Sequence, residues 1–119
     1  MSLKGLFERQ RQLMEALGID AEKHVDIYDD EFMAACIGLA SEAMEILDEI
    51  NIATRPWASK STVETRIRVA REAIDVLFYF IEIMIFLHID PKMIEVLYEE
   101  KWQINMERIE KSSINLLNG

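Results

Sequence analysis

The feature that most constrains this chain is the apolar run over residues 73–87, broken only by Asp75, Tyr79 and Glu82. At 100° per residue these three fall on one narrow stripe with Glu72, and the helix is apolar around more than half its circumference. A carboxylate near a bilayer centre costs roughly 2.5–3.5 kcal/mol, so the run is a helix buried among other helices and not a membrane span. Half-buried carboxylates need a partner, because leaving an ionised group unpaired away from water is costly. Two partners remain open at this point: Arg68, Arg71 or a lysine from another helix, or a metal ion.

Three further helices follow from breakers and caps. A first covers residues 3–17 and stops at Gly18, with Leu6, Phe7, Gln10, Leu13, Met14 and Leu17 on one face. A polar loop, residues 19–28, leads to Asp29 and Asp30 as caps of a second helix ending near residue 50. Ser61 or Thr62 caps the third, with Glu64 placed as a capping-box partner of Ser61, and that helix reaches about residue 88. Asp90 and Pro91 read as N-cap and first position of a fourth, which ends near residue 111 and leaves residues 112–119 as a frayed tail. No segment alternates as a strand does. The expectation is one all-α domain over residues 1–119, a four-helix-bundle-like core that self-associates as a dimer or dimer of dimers.

Charge narrows the functions. The net charge of −9, from 22 acidic against 13 basic residues, excludes backbone-directed nucleic-acid binding, which needs a basic surface. It does not exclude a nucleotide, since a bound divalent cation inverts the local charge. The single cysteine, Cys36, rules out an internal disulfide and a cysteine-based zinc site and fits a cytoplasmic protein. The chain opens with no apolar run of signal-peptide length.

On the second helix, Phe32, Cys36, Leu39, Ala43, Ile46, Leu47 and Ile50 form an apolar arc, and Glu42, Glu45 and Glu49 gather on the other side. The Glu42-x-x-Glu45 spacing sets two carboxylates on adjacent turns, within reach of one hard cation. A solvated acidic face has the same pattern. Paired carboxylates on two successive helices are more specific, because four facing acids repel one another unless Mg²⁺ or Mn²⁺ neutralises them.

Glu42-x-x-Glu45 followed by Glu72-x-x-Asp75 resembles the metal-binding pattern of the all-α NTP pyrophosphatases, the group of MazG-type enzymes and dimeric dUTPases. Residues 6–10 (Leu-Phe-Glu-Arg-Gln), Arg55-Pro56-Trp57 and the Lys101/Asn105/Arg108 spacing resemble elements of the dUTPase branch. The resemblance implies an Mg²⁺-dependent nucleoside triphosphate pyrophosphohydrolase. Water would attack between the α and β phosphates to give monophosphate and pyrophosphate, with dUTP the first candidate substrate. It further implies Glu42, Glu45, Glu72 and Asp75 as metal ligands, with Glu42 and Glu45 catalytic and Glu45 placed to hold the attacking water. Lys101 and Arg108 would meet phosphate, Asn105 and Gln10 sugar or base, and Trp57 the base. The chain is shorter than many dimeric dUTPases, and Arg55 stands where lysine is more usual. Both departures keep a MazG-type pyrophosphatase acting on dCTP or a non-canonical nucleotide as the alternative.

Other readings stand beside this one. Lys101, Asn105 and Arg108 share one helical face, as a solvated face paired with Glu100 or Glu107 would. Trp57 caps a core as readily as it contacts a base, and Gln10 can serve a buried backbone group. A redox di-metal bundle needs Glu-x-x-His pairs, and neither His24 nor His88 has a glutamate three residues before it. A non-catalytic helical dimer is the remaining alternative, given how much apolar circumference the third helix carries.

Overall fold

The computed structural model describes residues 1–23, 25–54 and 61–118. They form α1 (Leu3–Ala16), α2 (Asp30–Thr54), α3 (Val63–Phe86) and α4 (Pro91–Asn118), with no strand among the described residues. The all-α expectation holds. None of the helices is long and apolar enough to cross a membrane among the described residues. His24, Arg55, Pro56 and Trp57 lie outside the described residues.

The helix ends are set by local chemistry. Ser2 caps α1 by accepting a hydrogen bond from the Gly5 N–H at 3.1 Å. At the other end Gly18 takes φ +79°, and its N–H donates to the Glu15 carbonyl while that of Ile19 donates to the Met14 carbonyl. That pair of bonds is a Schellman closure, which requires a left-handed residue at the glycine position. Thr62 is the N-cap of α3 with Thr65 as its capping-box partner, in place of the Ser61–Glu64 box expected from sequence. The box forms because each threonine hydroxyl accepts the other's backbone N–H, at 3.1 and 2.9 Å. His88 follows α3 in a left-handed conformation, φ 56°, a place usually held by glycine.

Two helices run past their expected ends. α2 continues to Thr54, and α4 continues to Asn118 because nothing between residues 112 and 118 breaks it. Asp90 caps α4 as expected: the Met93 N–H donates to its Oδ1 at 2.7 Å.

The chain forms two compact units, Met1–His88 and Ile89–Gly119, the second consisting essentially of α4. In the first, α3 packs against both α2 and α1. Its core is Phe7 and Met14 of α1, Ala21 and Val25 of the following loop, Ala35 of α2, and Ile81, Ile85 and Phe86 of α3. Burying large side chains of this kind contributes about 1.5–3 kcal/mol each. The loop between α1 and α2 is held by its own aspartates: Asp20 accepts from the Glu22 N–H at 2.9 Å, and Asp26 from that of Tyr28 at 3.0 Å. Lys23 then bridges to Glu31 at the start of α2, 3.1 Å away.

Candidate metal site and adjoining cleft

The register of α2 against α3 decides which side chains meet. The Tyr79 ring lies against Gly38, and the Arg68 guanidinium Nε is 2.8 Å from Glu49 Oε1. As numbers rise along α2 they fall along α3, so the two helices are antiparallel. Gly38 sits in mid-helix, where glycine is about 1 kcal/mol less favourable than alanine. Its reason is the tyrosine: a Cβ at position 38 would overlap the ring.

That register corrects the expected orientation of α2. The glutamates do not lie opposite its packing side. Glu42 and Glu49 are half-buried together with Phe32, Cys36, Leu39 and Ile46, whereas Ala43, Leu47 and Ile50, placed on the apolar arc from sequence, are exposed. The small residues Ala35 and Gly38 are what let α3 approach, and they pull the helix face round with them.

One carboxylate oxygen from each of Glu42, Glu72 and Asp75 lies within 4.8 Å of the other two, and none of the three residues is buried. Oxygens about 2.1 Å from an octahedral Mg²⁺ stand about 3.0 Å apart as neighbours and about 4.2 Å apart when opposite, so the three would have to draw together to share one such ion. Glu45, the fourth expected ligand, is exposed and outside the trio. It is near enough to act on it electrostatically. The Glu72 carboxyl is held above its ordinary value by partial removal from water, then by the negative charges of Asp75, Glu45, Glu49 and Glu42.

Arg68 is engaged by Glu49, and among the described residues neither Asp75 nor Glu82 is in a salt bridge. Within Met1–His88 the acids of the α3 stripe are thus in no salt bridge among the described residues.

Beyond the trio, at the far end of the same stripe, a cleft of about 470 Å³ opens between the loop after α1, the start of α2 and the end of α3. That volume is in the range of small-molecule sites. Tyr79 and Phe86 are its aromatic walls, and Asp20, Lys23, Glu31 and Glu82 its charged ones. Glu82 is half-buried, and burial raises its carboxyl above the ordinary value.

The other expected contacts divide. Gln10 is buried, 4% exposed, its Oε1 has no hydrogen-bond partner among the described residues, and it does not line the cleft. Lys101, Asn105 and Arg108 are exposed on α4, in the second unit, and among the described residues neither cation is paired with Glu100 or Glu107. Cys36, expected in the core, is a half-buried free thiol. Sequence reasoning missed Asp20, Lys23 and Glu31 altogether, because only folding brings them beside α3; the glycine in mid-helix was the available signal for a close approach.

Comparison with protein-family models, with curated proteins and with solved structures returns no match.

Proposed function

We propose that this protein hydrolyses a nucleoside triphosphate to the monophosphate and pyrophosphate in a reaction dependent on Mg²⁺, or on Mn²⁺ in its place. The observation that carries the reading is the convergence of Glu42, Glu72 and Asp75 from two antiparallel helices. An all-oxygen, acid-rich set is the donor chemistry of a hard divalent cation. The raised carboxyl of Glu72 supports it from the electrostatic side, since a cation relieves the repulsion that raises it.

Such an ion supplies charge neutralisation for phosphate oxygens and a more acidic bound water. Glu42, Glu72 and Asp75 would hold it. Glu45, one turn from Glu42 and outside the trio, would accept the proton of the attacking water. The test is pyrophosphate release from a panel of dNTPs and NTPs, including dUTP, dCTP and oxidised nucleotides, with Mg²⁺ and with EDTA. Mg²⁺-dependent release that falls at least a hundredfold in Asp75→Asn is the expected result, and no release from any nucleotide by folded protein rejects the reading.

A non-catalytic helical dimer is favoured by a different observation. Met33, Ile37, Met44 and Leu47 are each more than half exposed and recur along one side of α2 at steps of four, seven and three residues, the spacing of a helix seam. Sedimentation that detects a dimer in protein without turnover selects this reading over the enzyme.

A further inference from the structure

We propose that the cleft beyond the acidic trio receives the base of the substrate and favours bases bearing an exocyclic amino group, cytosine and adenine, over uracil and thymine, with Glu82 the specificity-determining residue. This rests on the pyrophosphohydrolase reading and replaces dUTP as its first candidate.

Placement comes first. Glu82 follows Asp75 by seven residues, nearly two full turns, so it projects from the same side of α3 about 10 Å further along the helix. Tyr79 stands between them, with its ring packed on Gly38 and exposed to the cleft. A nucleotide whose phosphates meet Glu42, Glu72 and Asp75 would span that distance with its sugar and base together, the base passing over Tyr79 toward Glu82.

Chemistry decides the base. An ionised carboxylate only accepts hydrogen bonds. Asp20, Glu31 and Glu82 all line the cleft, and the one lysine among its described lining residues is already committed, with Lys23 Nζ donating to Glu31 at 3.1 Å. Cytosine presents an N4 amino group and adenine an N6 amino group, whereas uracil and thymine present the O4 acceptor at the corresponding edge. Opposite Glu82 an amino group donates. An O4 opposite the ionised carboxylate sets two acceptors against each other, and the hydrogen bond that the amino group makes is lost.

Glu82 is also the cleft carboxylate in most need of such a donor. Asp20 is exposed and its Oδ1 accepts the Glu22 N–H, and Glu31 has Lys23. Glu82 is half-buried and has no salt bridge among the described residues. Its carboxyl is raised by burial, the cost that a hydrogen-bond donor offsets.

The experiment measures kcat/KM with Mg²⁺ for dCTP, dATP, dUTP and dTTP, on wild type, Glu82→Gln and Glu82→Asp, each shown to be folded by circular dichroism. Wild type is expected to favour dCTP or dATP by roughly ten- to a hundredfold, the discrimination of a good base contact. Glu82→Gln, whose amide both donates and accepts, is expected to bring the ratio within a few-fold, and Glu82→Asp to keep most of it. Hydrolysis with dUTP or dTTP preferred, or with a ratio unchanged in Glu82→Gln, overturns the base assignment and leaves the pyrophosphohydrolase reading standing. Absence of hydrolysis of all four in folded wild type overturns both. The wild-type panel alone keeps the proposal falsifiable if Glu82→Gln does not fold.

Discussion

The ring of Tyr79 lies against Gly38, at a point where any side chain on α2 would overlap it. The contact sets how closely α2 and α3 approach, and with it the meeting of Glu42 with Glu72 and Asp75. Gly38→Ala gains about 1 kcal/mol of helix propensity but forces the ring to move, and overpacking of this kind costs about 1–3 kcal/mol. Net destabilisation of up to about 2 kcal/mol is expected in urea unfolding. In a Tyr79→Ala background the same change is expected to stabilise by about 1 kcal/mol. Equal effects in the two backgrounds would show that the ring does not set the spacing.

The trio makes two predictions of opposite sign from one substitution. Without divalent cation, Glu72→Gln is expected to raise the melting temperature, because it removes a charge that Asp75, Glu45, Glu49 and Glu42 repel. With Mg²⁺ the wild type is expected to gain stability by mass action, about 2.7 kcal/mol at a hundred times the dissociation constant, and the variant to lose most of that gain. Calorimetric melts in EDTA and in Mg²⁺ read both signs. A variant that responds to Mg²⁺ as fully as wild type places the ion elsewhere.

Glu82 gives stability a pH dependence. Burial raises its carboxyl in the folded protein, so as pH climbs from the ordinary glutamate value the unfolded chain ionises first and folding loses stability. Its favourable contribution is whole below that value and gone once pH has passed the folded one. Glu82→Gln is therefore expected to melt higher than wild type at neutral pH, with the difference vanishing below about pH 4. The melting temperature of both proteins across that range is the measurement, and a difference that does not change with pH would assign the effect to packing.

At Gly18 the cost of substitution is purely conformational. Its φ is +79°, and a Cβ built there has no heavy atom within 4 Å. Gly18→Ala is expected to destabilise by about 1–2 kcal/mol, and Gly18→Asn by less, since asparagine tolerates the left-handed region better. Urea unfolding of the two variants checks the order.

What sequence alone determined here is local. The caps at Asp90 and Thr62, the stop at Gly18 and the stripe of Glu72, Asp75, Tyr79 and Glu82 each depend on residues within a few turns of one another, so no long-range contact is needed to specify them. Helical periodicity gives the angle between two residues on one helix, but not which angle meets the neighbour. That is why α2 was expected to turn its glutamates away, when Gly38 and Ala35 in fact bring Glu42 and Glu49 to the side that packs. It is also why Glu45 falls outside the trio: it stands about 60° round the helix from Glu42, and one inter-helix register admits one of them. The cleft was the least legible feature, because Asp20, Glu31 and Glu82 come from a loop and two helices, and only tertiary packing brings them to one wall.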